Sequence, residues 1–291
     1  MQESLWRATA QPSKFRPLIE NAKTDVLIVG GGMAGILCAY FLKKAGIDCL
    51  LIEKGKIGCG ISGNTTAKIT SQHGLIYQKL EKAFSGEFAK GYWLANEAAL
   101  SQFILLSRQI SCDMEVKDNY IYACRDRKSL ELECAALQRL GIPSIFTEHT
   151  PLPLETVGSL GFSQQAQFHP LKFLYQIAAP LRILENTQAM AFEGNTVLTN
   201  RGRIQTEKII IATHFPIINK HGAYFMKMYQ DRSYVVGLRN GQQLQGMYLA
   251  AESEGYSFRN AGDYLLLGGG AHRTGKQGTG WRGLEDFATL H

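Results

Sequence analysis

The sequence predicts an α/β fold (α+β overall), in which an early strand-helix-strand unit is interleaved with a second domain built on a mixed sheet. Two observations support this. The stretch from Val26 to Lys54 reads as an apolar strand, a glycine turn, a helix and a second apolar strand, and another apolar strand, Glu207 to Pro216, follows much later. Uniformly apolar strands are typical of parallel sheets covered on both faces. The irregular region between the two segments indicates an interleaved chain.

The first segment is not predicted to span a membrane. Val26 to Leu42 holds no charged side chain. The length of this segment approaches the ~20 apolar residues that a helix needs to cross a bilayer. Three consecutive glycines, Gly30 to Gly32, would each cost a helix interior roughly 1 kcal/mol. We therefore predict a strand at Asp25–Val29, a helix from about Met33 to Lys44, and a strand at Asp48–Ile52.

The turn before this helix carries a glycine pattern. Gly30, Gly32 and Gly35 fit GxGxxG, in which the glycines make the turn, admit a pyrophosphate and allow close packing of the helix. Glu53 follows about 20 residues on, where a carboxylate can accept hydrogen bonds from ribose hydroxyls. The N–H groups that begin the helix favour a diphosphate. The pattern predicts a dinucleotide site, and we expect Gly32→Val to block it by filling the space and by opposing the backbone conformation.

Composition excludes several other classes of protein. The chain has 291 residues, of which 45% are hydrophobic and 19% charged, with a net charge of +6. Its basic residues are scattered, so no nucleic-acid partner is predicted. The six cysteines lack the spacing of a zinc site, so no metal site is predicted and they are interpreted as reduced thiols. No secretory signal or transmembrane segment is recognised, and we expect a cytoplasmic protein.

Other elements follow from periodicity and turn residues. Met1 to Lys23 reads as an irregular arm, and His169 with Pro170 should open a helix, since proline is favoured at the first helical position. The remaining predicted elements are helical segments at Tyr77–Gln109 and Ser129–Leu140, and strands at Asn119–Cys124, Thr196–Asn200, Arg203–Glu207, Tyr234–Leu238, Gly246–Ala250 and Tyr264–Leu267.

Segments spread over nearly the whole chain carry a resemblance to a known family. They are VLIVGGGMAGILCAYFL, GNTTAKITSQHGLIY, QAQFHPLKFL, ILENT, IIIATHFP, DRSYVV and LLLGGGAHRTGK. The chain resembles the FAD-dependent oxidoreductases of the D-amino acid oxidase family, and especially a bacterial branch whose members often carry a C-terminal Rieske iron-sulfur domain. The resemblance implies a Rossmann-like domain that binds FAD, and an amine or amino acid substrate.

The resemblance also implies which residues contact FAD. Ser62 to Thr66 correspond to a loop that runs past the pyrophosphate in similar enzymes, where hydroxyl and N–H groups suit phosphate oxygens. Ala189 stands where the family commonly has a valine whose backbone meets adenine, and His214 replaces a frequent glycine. For Lys68, the sequence does not decide whether the side chain faces the diphosphate or solvent. The implied cofactor-binding residues are Gly30, Gly32, Met33, Ala34, Gly35, Glu53, Lys54, Ser62, Gly63, Asn64, Thr65, Thr66, Ala189, Ala212 and Thr213.

Candidates for catalysis or substrate contact are fewer. Tyr234 and Arg232 lie on the DRSYVV strand, and His272 and Arg273 follow a triple glycine. An arginine can bind a carboxylate through two hydrogen bonds, but a strand tyrosine also packs in cores and a turn arginine also lies in solvent. His169 is expected to be structural. No Ser/His/Asp or Cys/His set can be assembled, which argues against a hydrolase.

The distribution of motifs predicts an interleaved domain organisation. We predict an N-terminal arm at 1–24, an FAD-binding domain at 25–74 and 168–215, a substrate domain at 75–167 and 216–275, and an incomplete return segment at 276–291. The final helical pattern is still running at His291. We therefore expect a truncated chain in which Trp281, Leu284 and Phe287 have no following element to pack against.

Three functions are consistent with the sequence. The first is a flavoenzyme that moves a hydride from a C–H bond next to an amine to FAD, with oxygen, an iron-sulfur partner or another electron acceptor taking the electrons. The second is an NAD-dependent dehydrogenase, which would share the first βαβ unit but not the late strand ending in Ala212 and Thr213. The third is an inactive remnant that binds nucleotide weakly. The flavoenzyme is preferred to the dehydrogenase, and the sequence does not decide between it and the remnant.

Overall fold

The computed structural model describes residues 3–218 and 222–291, and the chain divides into two compact units. The first comprises Met1–Thr65, Ile110–Cys112 and His169–Met228, and the second comprises Thr66–Gln109, Asp113–Phe168 and Tyr229–His291. The chain passes from one unit to the other after residues 65, 109, 112, 168 and 228. The predicted boundary between residues 167 and 168 lies next to one of these crossings, whereas the predicted boundaries at residues 74 and 215 lie several residues from the nearest one. The assignment of one part to cofactor and the other to substrate stays a prediction.

Helices and strands alternate irregularly along the described residues. The helices are α1 (Leu5–Thr9), α2 (Met33–Lys44), α3 (Tyr77–Ala83), α4 (Gly86–Ser107), α5 (Arg127–Leu140), α6 (Pro170–Ala178), α7 (Tyr224–Lys227) and α8 (Gly280–Leu290), with a 3₁₀ turn at Ile61–Gly63. The strands are β1 (Ala22–Val29), β2 (Cys49–Ile52), β3 (Lys68–Ile69), β4 (Glu115–Ala123), β5 (Ile145–Thr147), β6 (Gly158–Gln167), β7 (Ile183–Leu184), β8 (Ala189–Glu193), β9 (Thr196–Thr199), β10 (Gly202–Ile211), β11 (Asp231–Arg239), β12 (Met247–Ala250), β13 (Ser257–Ala261) and β14 (Tyr264–Arg273).

The first unit is built on a six-stranded sheet in the order β7-β2-β1-β10-β9-β8. Strand β1 pairs in parallel with β2 and β10, and β2 pairs in parallel with β7. Leu27 and Ile28 of β1 and Leu51 of β2 are fully buried, as expected for strands covered on both faces. Ile28 lies opposite Ile210 of β10, which confirms that the early βαβ unit and the late apolar strand share one sheet.

The second unit is built on an eight-stranded mixed sheet. Its order is β11-β14-β13-β12-β4-β6-β3, with β5 paired to β6. Strands β4 and β12 pair in parallel, while the other pairs are antiparallel. Helices α3, α4 and α5 contact one another, and their core includes Tyr77, Leu130 and Leu137 together with Leu160 of β6. The predicted mixed sheet is thus present.

Three helix predictions are confirmed, including the one at Ser129–Leu140, where α5 ends at Leu140 as expected, and a fourth helical segment is divided in two. Helix α2 has the predicted bounds, and α6 begins at Pro170 after His169. The segment predicted to be helical from Tyr77 to Gln109 forms α3 and α4, with a break at Phe84 and Ser85. The break occurs because the Ser85 hydroxyl accepts the N–H of Phe88 at 3.1 Å and so begins a new helix.

The last helix is packed, contrary to expectation. Leu284 is only 1% exposed and belongs to a core with β12, β13 and β14. The ring of Phe287 lies 4.1 Å from that of Tyr256, and Trp281 meets the ring of Tyr234 edge-on at 4.9 Å. The expectation that these side chains are left without packing is wrong for Leu284 and Phe287, because strands that precede the helix in sequence supply the surface, whereas Trp281 is still 43% exposed.

Candidate functional site

The turn between β1 and α2 is packed closely against the end of β10. Gly30 has φ +118°, and a Cβ there would lie 2.5 Å from the carbonyl oxygen of Ala212. A Cβ at Gly35 would overlap the carbonyl oxygen of Gly30. Both positions therefore require glycine, the first for conformation and space and the second for space alone.

Gly32 differs because protein atoms leave room beside it. The nearest atom to a Cβ at Gly32 would be Ser62 Oγ, at 3.4 Å. Its φ of -83° and ψ of -174° suit any residue, so the prediction that a branched residue would oppose the backbone here is wrong. The predicted spatial reason remains. A glycine with ordinary backbone angles and free space beside it fits a ligand that approaches the main chain, as a diphosphate would.

Helix α2 begins at this space. The N–H of Met33 donates to Ser62 Oγ at 2.9 Å, and the first turn holds no acidic residue. The first four N–H groups of a helix have no acceptor within the helix, and the helix dipole places partial positive charge there. Gly32, Met33, Ala34 and Ser62 therefore fit the diphosphate of a dinucleotide.

Glu53 lies next to the turn, as predicted for a residue that would contact ribose. Its carboxylate accepts the N–H of Gly31 at 2.7 Å and that of Gly55 at 2.9 Å. A carboxylate has about four acceptor positions, so Glu53 keeps capacity for two hydroxyl donors. The N–H of Thr187 donates to the carbonyl oxygen of Glu53 at 2.9 Å. Ala189, two residues further on, begins β8, and Lys54 is exposed.

The segment Cys59–Thr65, which we call the cofactor loop, follows β2. Gly63 is buried, and Asn64 Nδ2 donates to the carbonyl oxygen of Gly60 at 3.0 Å. On the other side of the turn, the N–H of Ala212 donates to the carbonyl oxygen of Val29 at 2.9 Å, and Thr213 Oγ1 donates to Phe215 at 2.8 Å. The predicted residues Gly30, Gly35 and Ala212 are thus brought together. Direct FAD contact by the predicted set stays a prediction.

Sequence reasoning missed a buried carboxylate that supports this region. Glu185 is fully buried, and its carboxylate accepts from Lys56 Nζ at 2.7 Å and from the N–H of Ile57 at 3.0 Å. A Cβ at Gly31 would lie 2.8 Å from Ile57 Cγ2, so this ion pair fixes a residue against which the glycine turn packs. Glu185 belongs to the ILENT segment quoted above. Its charge directly after two apolar strand residues was the available signal of burial and pairing.

Sequence reasoning also missed the N-terminal arm. The arm predicted to be irregular contains α1, whose side chains donate to carbonyl oxygens of the cofactor loop. The available signal was Ser4, a favoured N-cap residue directly before an apolar pair.

Thr66 and Lys68 belong to the second unit. Lys68 Nζ donates to the carbonyl oxygen of Tyr248 at 2.6 Å, a partner that neither open alternative describes. Burial and the neighbouring charge of Arg259 lower the pKa of Lys68 to about 7. Arg259 is 2% exposed and donates to Ala67 at 2.7 Å. The unit therefore holds two cationic side chains near each other in its interior.

The catalytic candidates lie together on strands β11 and β14. Arg232 is opposite His272 in the strand register. The ring of Tyr234 stacks on that of His272, with centroids 5.8 Å apart and 19° between the planes. The guanidinium of Arg273 lies 4.7 Å from the ring centre of Tyr229. The structure thus groups two arginines and a tyrosine–histidine stack at one edge of the sheet, and their roles stay predictions.

Residues 3–218 and 222–291 hold neither a metal-binding cluster nor a membrane-spanning helix. No group of three or more His, Cys, Asp or Glu side chains is arranged to hold a metal ion. No helix in this part of the chain is both long enough and apolar enough to cross a membrane.

Comparison with solved structures supports the fold. The chain superposes on glycine oxidase from Geobacillus kaustophilus with a TM-score of 0.64 at 19% sequence identity, over 87% of this chain and 72% of that one. At this identity the likeness establishes a shared mixed α/β fold.

Comparison of sequences establishes the family. The model of the FAD dependent oxidoreductase family DAO matches residues 25–289. A putative Rieske 2Fe-2S iron-sulfur protein, YhfW of Bacillus subtilis, is 32% identical over 94% of this chain, which spans 57% of the relative's length. Gamma-glutamylputrescine oxidoreductase of Escherichia coli is 27% identical over 43% of this chain and 30% of its own length. This chain therefore belongs to the DAO family of FAD-dependent oxidoreductases, and its cofactor is FAD.

Proposed function

We propose that this chain supplies the FAD site and substrate-contacting residues of an oxidoreductase that removes a hydride from a carbon next to an amine nitrogen. The observation that carries the proposal is the free space at Gly32 beside the start of α2, in a chain of this family. FAD, when bound, supplies the hydride acceptor. An amine or amino acid substrate is supported by the names of two similar proteins, a glycine oxidase and a glutamylputrescine oxidoreductase.

The residues of the first unit would bind and orient the cofactor. The main chain at Gly32 and the first turn of α2 would hold the diphosphate, and the free acceptor positions of Glu53 would hold ribose hydroxyls. Orientation of this kind is the protein's share of flavin chemistry, because it places the reactive atom against the substrate.

The cluster on β11 and β14 would recognise the substrate. Arg232 and Arg273 offer planar donors suited to a carboxylate. The stacked rings of Tyr234 and His272 offer an apolar surface with polar ends. An amino acid or a carboxylated amine fits this combination better than an uncharged alcohol does.

The electron acceptor and the cellular location are two further parts of the proposal, and each rests on one observation. The Rieske name of the Bacillus subtilis relative supports an iron-sulfur electron acceptor over oxygen. The cytoplasmic location rests on the interpretation of the cysteines as reduced thiols. Family membership favours FAD over NAD, and the remnant hypothesis stays open until the chain is tested.

Anaerobic flavin reduction tests the proposal. The FAD-loaded chain would be mixed with amines, amino acids and, as an alcohol control, glycerol 3-phosphate, while the visible flavin absorbance is followed. We expect bleaching by at least one amine or amino acid. Bleaching by the alcohol alone would overturn the amine assignment, and a chain that binds FAD but is reduced by none of them would support the remnant.

Substitutions at two different arginines make the test specific to the cluster on β11 and β14. Arg273→Met should raise the concentration of a carboxylated substrate needed for half-maximal reduction by roughly tenfold or more. Arg239→Met is the matched control, because Arg239 also packs on a tyrosine ring, at 5.5 Å, at the other end of β11. Equal effects of the two variants would argue against a specific role for Arg273.

A further inference from the structure

Helix α1 provides three side-chain donors to the cofactor loop. Ser4 Oγ donates to the carbonyl oxygen of Gly63 at 2.5 Å, and Trp6 Nε1 donates to that of Thr65 at 2.7 Å. Arg7 Nη2 donates to the carbonyl oxygen of Cys59. A planar trans peptide holds its C=O and the following N–H on opposite sides. The three hydrogen bonds therefore restrain the peptide planes at Cys59, Gly63 and Thr65.

Helix α1 is itself anchored to the start of α6. Trp6 is 5% exposed and meets the ring of His169 edge-on at 4.9 Å. His169 Nδ1 accepts the N–H of Lys172 at 3.2 Å, so its ring proton lies on Nε2 and is donated to Thr9 Oγ1 at 2.9 Å. The predicted structural role of His169 is confirmed. The five-residue helix is thus a fixed link between α6 and the loop.

Arg7 has donor capacity and charge that the protein does not use. Its Nε is buried and has no hydrogen-bond partner among the residues that the structure describes. Within the same residues, no carboxylate forms an ion pair with its guanidinium. Nε is enclosed by protein atoms and is out of reach of a ligand, but the residue is only half-buried. The positive charge and the terminal nitrogens of the guanidinium are therefore what an anionic ligand would meet.

The position of Arg7 identifies the kind of ligand. A Cβ at Gly63 would lie 3.2 Å from Arg7 Nε, and the neighbouring Ser62 accepts the N–H of Met33 at the start of α2. Neither the cofactor loop nor the first turn of α2 contains a lysine or arginine. Among the residues that hydrogen-bond to the cofactor loop, Arg7 therefore supplies a positive charge close to the turn at which a diphosphate would bind.

We propose that Arg7 is a positioning residue for the FAD diphosphate, which holds the cofactor loop through Cys59 and supplies the positive charge that the loop lacks. The inference rests on the placement of the diphosphate at the β1–α2 turn. It extends the cofactor site to a helix that precedes the glycine motif by more than twenty residues.

The test measures the dissociation constant of FAD with the full chain, at low and at high salt, by flavin fluorescence. Arg7→Met should weaken binding by roughly tenfold at low salt and flatten the salt dependence, because the charge is lost. Arg7→Lys should keep the salt dependence and recover part of the affinity. Arg203→Met, which removes an exposed charge from β10 of the same unit, should bind as the unchanged chain does.

Three outcomes would overturn parts of the proposal. Equal affinity and equal salt dependence of Arg7→Met and the unchanged chain would remove Arg7 from the site. Weaker binding with an unchanged salt dependence in Arg7→Met would leave only support of the loop and remove the charge role. If Arg7→Met does not fold, the Arg7→Lys protein decides. An FAD affinity without salt dependence in that protein would exclude a charge role for residue 7. Retention of FAD by a folded Gly32→Val protein would instead show that the diphosphate placement itself is wrong.

Discussion

At the scale of single residues, we expect two adjacent glycines to be required for different reasons, one for folding and the other for cofactor binding. Gly31 is constrained by protein, since a Cβ there would lie 2.8 Å from Ile57 Cγ2 and 3.0 Å from Glu53 Cβ. Gly32 has ordinary backbone angles and only Ser62 Oγ nearby. Folding therefore accounts for glycine at the first position, while the second is explained by a ligand.

We predict that Gly32→Val folds with nearly the stability of the unchanged chain but loses at least ~100-fold in FAD affinity, because its methyl groups fill the space beside the turn. Gly31→Val should instead cost about 1–3 kcal/mol of stability by overpacking. Gly60→Val is the control, since the same change in the cofactor loop meets no atom within 4 Å. Urea unfolding and FAD titration of the three variants separate the effects. Loss of FAD by Gly60→Val as well would mean that the loop tolerates no valine anywhere.

Lys68 should make stability depend on pH. Its pKa is lowered to about 7 in the folded chain by burial and by Arg259, whereas an unfolded lysine titrates near ~10.4. Between these values the unfolded chain binds the extra proton, so the free energy of unfolding rises with pH, by at most about 1.4 kcal/mol per pH unit. Below about pH 7 both states are protonated and this contribution is flat.

Lys68→Met should remove that slope and stabilise the chain below pH 7, because a buried charge next to Arg259 is gone. Urea unfolding at pH 6, 7, 8 and 9 would be compared with that of Lys117→Met, a control on β4 of the same unit whose ammonium is paired with Glu115 at 3.2 Å. Parallel pH curves for the unchanged chain and Lys68→Met would show that Lys68 stays charged when folded.

Residues whose roles were predictable lie close together in sequence. The expected roles of Gly30, Gly35 and Glu53 follow from one local pattern, and that of Ser62 from the family resemblance of its loop. Arg7 and Glu185 were not predicted, because their partners lie 52 and 128 or more residues away. Nothing in the neighbouring sequence specifies such contacts.

At the scale of elements, the sequence patterns did not predict helix α1, which depends on contacts with residues distant in sequence. Helix α2 is long and follows a glycine turn, so its bounds were predicted. Helix α1 has five residues, too few to be stable alone given the cost of helix nucleation. It depends on the packing of Trp6 against His169.

The start of α3 offers a measurable case of such support. Glu133 of α5 is 1% exposed, and its two oxygens accept the N–H groups of Tyr77 at 2.8 Å and Gln78 at 2.9 Å. We predict that Glu133→Gln costs roughly 1–3 kcal/mol in urea unfolding, because one N–H then meets an amide NH₂ and stays unpaired. Glu131→Gln is the control on the same helix, since its exposed pair with Arg127 is worth only about 0.5 kcal/mol. A Glu133→Gln protein as stable as Glu131→Gln would mean that water replaces the lost acceptor.

At the scale of the whole molecule, the sequence predicted the parallel sheet better than the mixed one. Asp25–Ile52 and Lys208–Ala212, which belong mainly to β1, β2 and β10, were expected in one sheet because cofactor motifs lie on both sides of a segment without such motifs. The order of the second sheet was not predicted, since neighbours such as β4 and β12 pair across more than 120 residues, with Asn119 opposite Met247. Strand β6, which pairs with β4, β3 and β5, was missed because its polar and apolar residues do not alternate regularly over Gly158–Gln167.

Cofactor binding should be visible in the stability of the whole chain. A ligand that binds only the folded state adds RT ln(1 + [L]/Kd), about 2.7 kcal/mol at a hundredfold excess over Kd, and a shift of ~2 °C per kcal/mol is usual for a chain of this size. We predict that FAD raises the melting temperature by about 5 °C under these conditions. FMN should have little effect, because it lacks the adenosine diphosphate portion that the β1–α2 turn and Glu53 would hold. NAD shares that portion and should stabilise only weakly, since it lacks the flavin that completes the contacts. Equal shifts with FAD and NAD would mean that only the adenosine diphosphate portion is recognised, and a shift with FMN alone would place the flavin site elsewhere in the chain.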